Sequence, residues 1–158
     1  MLRLGLGVAA AAWAVDRIAK WLLGEVLEAA GGRLAVTGFL NLVDARNEGV
    51  SFSLFNEFGT TWGRWLLFAL ALAIVAGIVV WLRRTDRAWP AASLGLIIGG
   101  ALGNAYDRAV WGAVADLFDF HLAGFHWPTF NPADTAIVVG VGLLILDSLF
   151  ERRRTPRK

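Results

Sequence analysis

Asp16, Asp107, Asp116 and Asp134 stand at or near the ends of four charge-poor apolar runs. All four map to one side of a membrane once the chain is oriented by its basic residues. Carboxylates held in or against a bilayer are expensive, which makes them functional candidates by default. Two of them facing one another would form an acid/base pair able to activate water. Competing chemistries are poorly represented. The chain has no cysteine, which removes thiol catalysis, disulfides and Cys-bound metals. Its two histidines, His121 and His126, lie in one loop without an H-E-x-x-H pattern, and neither a G-x-S-x-G elbow nor a G-x-x-x-x-G-K-[ST] phosphate loop is present.

Spacing groups the polar residues into constellations, each with a structural and a functional account. Asp16 and Lys20, at i and i+4, share a helix face and can pair. They would fix the helix against its neighbours or help to place substrate. Asn104, Asp107 and Arg108 follow Gly99-Gly-Ala-Leu-Gly103, whose small residues permit close helix approach. Asp107 can pair with Lys20 or Arg108, and Arg108 can instead donate to a peptide carbonyl. Asn131-Pro132-Ala133-Asp134 reads as a helix start, with an asparagine cap, a proline at the first position and an acid at the third. A cap accounts for those residues without requiring Asp134 to face another acid. Asp116, among Val114, Ala115, Leu117 and Phe118, is expected to be desolvated, with its pKa raised. Asp119 is a nearby competitor, and spacing does not choose between the two.

The elements that must position these residues are those of a membrane protein. Of 158 residues, 57% are hydrophobic, too apolar for an ordinary soluble domain. Residues 65–82 and 88–106 contain no charge; as helices each would be about 27–29 Å long, near the ~30 Å hydrocarbon thickness. With residues 4–23 and 133–150 they give four expected spans, at about 4–23, 65–82, 88–110 and 133–150, in a single domain over 1–158. Arg3, the turn Arg83–Arg87 and the tail Arg152–Lys158 hold nine of the fifteen basic residues, which places both termini in the cytoplasm and the loops at about 24–64 and 111–132 outside. Arg3 followed by Leu4–Val15 resembles a signal peptide, but Asp16 and Lys20 continue the helical stretch without a convincing cleavage site, so an uncleaved helix is expected. The run Arg33–Arg46, broken by Gly38, and the run Val50–Phe55 alternate as strands do. They predict a small sheet on the outer surface, where Phe39, Phe52, Phe55 and Phe58 offer apolar contact; the alternative is that these aromatics only anchor the loop at the interface. Trp62, Trp65, Trp111 and Trp127 fall near outer boundaries and Trp81 and Trp89 near the inner turn, as in interfacial belts.

Five blocks carry a family resemblance: Asp16-Arg-Ile-Ala-Lys20, Arg46-Asn-Glu-Gly-Val-Ser-Phe52, Gly99-Gly-Ala-Leu-Gly-Asn-Ala-Tyr-Asp-Arg108, Val114-Ala-Asp-Leu117 and Phe130-Asn-Pro-Ala-Asp134. In this order, and over nearly the whole chain, the sequence resembles the lipoprotein signal peptidases, or signal peptidase II. The resemblance implies an all-α membrane protein, a four-transmembrane-helix bundle with a small periplasmic β-cradle. It also implies an aspartic endopeptidase of the bacterial inner membrane, with its active site near the periplasmic face. Such an enzyme cleaves diacylglyceryl-modified prolipoproteins just before the lipidated lipobox cysteine. By motif, Asp116 and Asp134 match the catalytic pair, which selects Asp116 over Asp119. Asn47, Asn104, Arg108 and Asn131 match substrate-binding positions, and Asp16, Lys20 and Asp107 match supporting ones. The implied partners are lipid-modified prolipoproteins, membrane lipid and globomycin-type inhibitors, with no cofactor, metal or nucleic acid, and the chain is expected to act as a monomer. Pro132, Ala115, Leu117 and Glu48 depart from the family's usual residues and bear on substrate preference rather than on the reaction.

Two other classes compete. A small proton-coupled transporter subunit would also carry intramembrane Asp and Lys, but its relay should connect both sides, and only Asp147 stands near the inner end of a span. A non-catalytic four-helix adaptor would explain caps and ion pairs, but not the convergence of polar residues on one side.

Overall fold

A computed structural model describes residues 1–49 and 59–154. Four helices carry the fold: α1 (Leu2–Ala29), α2 (Gly59–Arg84), α3 (Ala88–Trp111) and α4 (Pro132–Arg154). Four strands join them, β1 (Arg33–Thr37), β2 (Leu40–Asn47), β3 (Val114–Leu122) and β4 (Phe125–His126). Helix α3 is central and lies against the other three. Its composition explains why. A Cβ on Gly95 would stand 2.3 Å from the Gly5 carbonyl oxygen, one on Gly99 2.4 Å from that of Ala9, and one on Gly100 2.3 Å from that of Ala133. Glycine is what lets α1 and α4 approach the α3 backbone so closely. Away from the polar residues the core is apolar, with Ala9, Leu82, Ala91, Leu94 and Ile98 buried together.

The outside of the helices is as apolar as the inside. Leu66, Leu70 and Ile74 on α2 and Val138 and Ile145 on α4 are exposed, whereas Asp16, Lys20, Asn104 and Asp107 are buried. That inversion suits a protein whose solvent is lipid. By length and composition, Trp62–Arg84 and Pro132–Phe150 can cross a membrane. Helix α1 carries Asp16, Arg17 and Lys20 within its length, and α3 is rich in glycine and alanine.

The expectation of an all-α protein needs correction. The strands form one antiparallel sheet in the order β1-β2-β3-β4. Strands β1 and β2 are the alternating run around Gly38, as expected. The connection between α3 and α4, for which no strand was expected, supplies β3 and β4. Gly112 adopts a left-handed conformation (φ 82°) and its N–H donates to the Arg108 carbonyl (3.2 Å), ending α3 and turning the chain into β3. Strand β3 then pairs with β2, setting Asp116 opposite Ala45 and Asp119 opposite Asn41. The run Val50–Phe55, and with it Phe52, Phe55 and Phe58, lies outside the described residues. Phe39 is exposed and stacks on Phe120 at 6.4 Å. The six tryptophans near expected boundaries are all exposed.

Candidate active site

Strand β3 and the first turn of α4 bring two acids to one asparagine. Asn131 Nδ2 donates to Asp116 Oδ1 (2.8 Å), and the Asn131 backbone N–H donates to Asp134 Oδ2 (3.2 Å). Asn131 Oδ1 accepts from the Asp134 N–H (3.0 Å). This is a reciprocal cap, which α4 needs because its first N–H groups have no partner within the helix. The remaining carboxylate oxygens are also satisfied. Asn47 Nδ2 donates to Asp116 Oδ2 (3.1 Å), and Asn104 Nδ2 donates to Asp134 Oδ1 (2.7 Å). Asn131 Nδ2 lies 3.3 Å from Asn104 Oδ1, closing the ring of side chains. Asp116 is almost fully buried, while Asp134 is half-buried. Burial raises the Asp116 pKa above its usual 3.8. The bonds from Asn131 and Asn47 oppose that rise, the charge of Asp134 adds to it, and that of Lys20 opposes it.

Beneath this ring lies a cluster of four charges. Lys20 Nζ sits 3.0 Å from Asp16 Oδ1 and 2.5 Å from Asp107 Oδ2. Arg17 joins the same two acids, through Asp16 Oδ2 and through Asp107 Oδ1 at 2.5 Å, and donates to the Gly103 carbonyl (3.3 Å). The acids also hold backbone. The Ala133 N–H donates to Asp16 Oδ1 (3.1 Å) and the Ala115 N–H to Asp107 Oδ2 (3.2 Å). Buried charges are tolerable only when paired and hydrogen-bonded in this way.

The residues singled out in the sequence therefore meet at one end of the helices. Asp107 pairs with Lys20 rather than with Arg108. The Arg108 guanidinium donates to the Asn104 carbonyl (3.3 Å), and its Nε is buried without a hydrogen-bond partner among the described residues. Asp119 is also buried but points elsewhere, as a residue three positions along a strand from Asp116 should. It accepts from Asn41 (2.9 Å) and from the exposed Arg33 (3.3 Å), and its Oδ1 lies 2.6 Å from His126 Nδ1. Its pKa is lowered, first by the hydrogen bond to His126 and then by that from Asn41. Arg17 was missed. Adjacent to Asp16, it does not share that residue's helix face, and spacing gave no signal. Its side chain reaches round over the Tyr106 ring (4.7 Å) and the Trp111 ring (5.5 Å) to reach Asp107.

The chain is similar to known proteins over most of its length. The family model for signal peptidase (SPase) II matches residues 8–150. A lipoprotein signal peptidase of Methylocella silvestris is 46% identical over 151 residues, covering 95% of this chain and 88% of that one. One of Methylorubrum extorquens is 46% identical over 157 residues, covering 98% and 90%. A solved bacterial membrane enzyme superposes with a TM-score of 0.77 at 26% identity, covering 92% of each chain. Another reaches 0.74 at 23% identity, covering 98% of this chain and 93% of that chain, and shares the fold. Matched by that family model over residues 8–150 and by relatives 46% identical over nearly its whole length, the chain belongs to the signal peptidase II family.

Proposed function

We propose that this protease is an aspartic endopeptidase whose reacting groups are Asp116 and Asp134. Membership of the family carries the removal of signal peptides from prolipoproteins. The aspartic mechanism rests on one observation, that acids from two different elements are held by opposite ends of the same residue, Asn131. Two close carboxyls do not readily both ionise, so they hold one proton between them and titrate as a pair. The ionised member takes a proton from water as the water oxygen attacks the scissile carbonyl carbon, and the other gives its proton to the carbonyl oxygen. Collapse of the tetrahedral intermediate breaks the C–N bond, and the amine leaves with a proton from the pair. Arg108, whose Nε is buried and has no hydrogen-bond partner among the described residues, and the amides of Asn47 and Asn104 are the groups to orient the peptide. Asp16, Lys20 and Asp107 support the pair from beneath.

The substrate is a diacylglyceryl-modified prolipoprotein, cut just before its lipidated cysteine. The four helices span the inner membrane with both termini in the cytoplasm. Arg83, Arg84 and Arg87 lie at the end of the bundle opposite the acids, so the positive-inside rule puts the site at the periplasmic face, where lipid chains would present the modified cysteine. A globomycin-type inhibitor would bind the same site, and the chain would act as a monomer. A transporter fits poorly. Asp147, the acid near the inner end of a span, is held by Arg87 at 2.9 and 2.5 Å. Between it and the site, the buried residues of the described chain are apolar apart from Ser93, which donates to the Trp89 carbonyl.

The test uses purified protein in lipid or detergent, a diacylglyceryl-modified lipobox peptide and a chelator. Cleavage before the modified cysteine by wild type, abolished in folded Asp116→Asn and Asp134→Asn, is the expected result. Turnover surviving either substitution would reject the pair.

A further inference from the structure

Resting on the assignment of Asp116 and Asp134 as the reacting pair, we propose that Lys20 is a positioning residue that couples them, setting their spacing and their charge environment through two backbone amides. The connection is continuous. Asp16 Oδ1 takes both Lys20 Nζ (3.0 Å) and the N–H of Ala133, the residue directly before Asp134 (3.1 Å). Asp107 Oδ2 takes both Lys20 Nζ (2.5 Å) and the N–H of Ala115, the residue directly before Asp116 (3.2 Å). One side chain of α1 thus reaches the start of α4 and the start of β3 through one oxygen on each side.

Cohesion alone would not call for this arrangement. Arg17 already joins the same two acids, and packed apolar side chains hold helices together without the desolvation cost of four buried charges. Of the two cations, Lys20 and not Arg17 shares its acceptor oxygens with the amides beside the pair. Of the charged groups around the pair, Lys20 of α1 acts on Asp116 and Arg108 of α3 on both acids, with Asp16, Arg17 and Asp107 bound behind them, while Asn47 of β2 is neutral. The cluster of Asp16, Arg17, Lys20 and Asp107 is neutral as it stands. Lys20→Met leaves it one negative charge, which favours the proton on the pair. Asp16→Asn leaves it one positive charge, which disfavours that proton.

The experiment measures kcat and KM against pH for the full chain with a diacylglyceryl-modified lipobox peptide, together with thermal unfolding. Folded Lys20→Met is expected to lose about tenfold to a hundredfold in kcat, with KM within about twofold and the limb for loss of the shared proton moved to higher pH. Asp16→Asn is expected to move that limb to lower pH. A residue serving only cohesion would lower the unfolding temperature and leave the limb in place. If Lys20→Met does not fold, Asp16→Asn decides: a downward shift supports the coupling and an unmoved limb overturns it. Wild-type kcat and an unmoved limb in both variants, while Asp116→Asn and Asp134→Asn are inactive, would reject Lys20 alone. Turnover by either aspartate variant would reject the pair itself.

Discussion

Asn131 and Asp134 complete each other's backbone: the Asn131 side-chain oxygen accepts from the Asp134 N–H at 3.0 Å, and the Asp134 carboxylate accepts from the Asn131 N–H at 3.2 Å. The helix cap and the candidate active site are therefore one object. The oxygen end of the Asn131 amide secures α4, and its nitrogen end is turned to Asp116 and Asn104. As the proposed proteolytic carboxylate, Asp134 has its orientation fixed by the same bonds that start the helix.

That division of labour predicts that two substitutions at position 131 separate stability from activity. Asn131→Ala loses both ends of the amide, with a cost of about 1 kcal/mol for the cap and a loss of turnover on the order of a hundredfold. Asn131→Ser keeps an oxygen for the Asp134 N–H but offers no amide nitrogen to Asp116. It should unfold close to wild type and still lose turnover. Thermal unfolding and kcat on the same preparations check both. Equal turnover in Ser and wild type would mean that the bond to Asp116 is unimportant.

Much of this organisation was legible in the sequence, because each legible feature rests on a short-range rule. The i, i+4 spacing of Asp16 and Lys20 places both on one helix face, and they pair at 3.0 Å. Asn131-Pro132-x-Asp134 is a local cap signal, and the cap is there. The alternation on either side of Gly38 marks β1 and β2. What was not legible depends on long-range pairing. Strand β3 has no clean alternation, since Val114 through Leu117 are all buried; it becomes a strand because β2 lies beside it. Spacing likewise could not tell which of Asp116 and Asp119 meets α4 and which meets His126, where only the motif resemblance pointed to Asp116. Arg17 acts by reach, and no spacing rule covers a side chain that wraps around its own helix.

Asn47 bears on the pH dependence. Burial pushes Asp116 upward and the hydrogen bond from Asn47 opposes that rise. Asn47→Ala removes the opposing bond, so the Asp116 proton should be held to higher pH. The limb of the rate profile that reports its loss should move up, with kcat reduced by about tenfold. A profile recorded over the full working range decides it, and a limb moving down would contradict the role assigned to this bond.

Close packing of α3 against α4 predicts a strong position effect among glycines. A Cβ on Gly100 would meet the Ala133 carbonyl oxygen at 2.3 Å, whereas one on Gly7 meets nothing within 4 Å. Gly100→Ala should therefore cost about 1–3 kcal/mol and reduce turnover as well, because Ala133 adjoins Asp134. Gly7→Ala, in an open stretch of α1, should be neutral or stabilising by about 0.5–1 kcal/mol. Unfolding of the two variants in the same detergent tests the contrast, and equal stabilities would show that α3 and α4 can separate without cost.

Asp119 supplies the sharpest negative prediction. It is the acid nearest to Asp116 in strand β3, yet its carboxylate is committed to His126, Asn41 and Arg33. Asp119→Asn should therefore retain kcat within a few fold of wild type while Asp116→Asn is inactive. The effect of Asp119 should appear in stability instead. Its pKa is lowered from 3.8 by the bonds from His126 and Asn41, so the folded state holds this proton less tightly than the unfolded chain. The stabilisation is fully present above the unfolded value and is lost as pH falls through the folded one. Wild type should therefore lose this increment of stability below about pH 4, and Asp119→Asn should be less stable than wild type at neutral pH and less sensitive to acid. Unfolding temperatures measured from pH 3 to pH 7 test the sign. If the variant lost as much stability on acidification as wild type, the carboxylate would not be the titrating group, and its bonds to His126 and Asn41 would have to be carried equally well by a neutral amide.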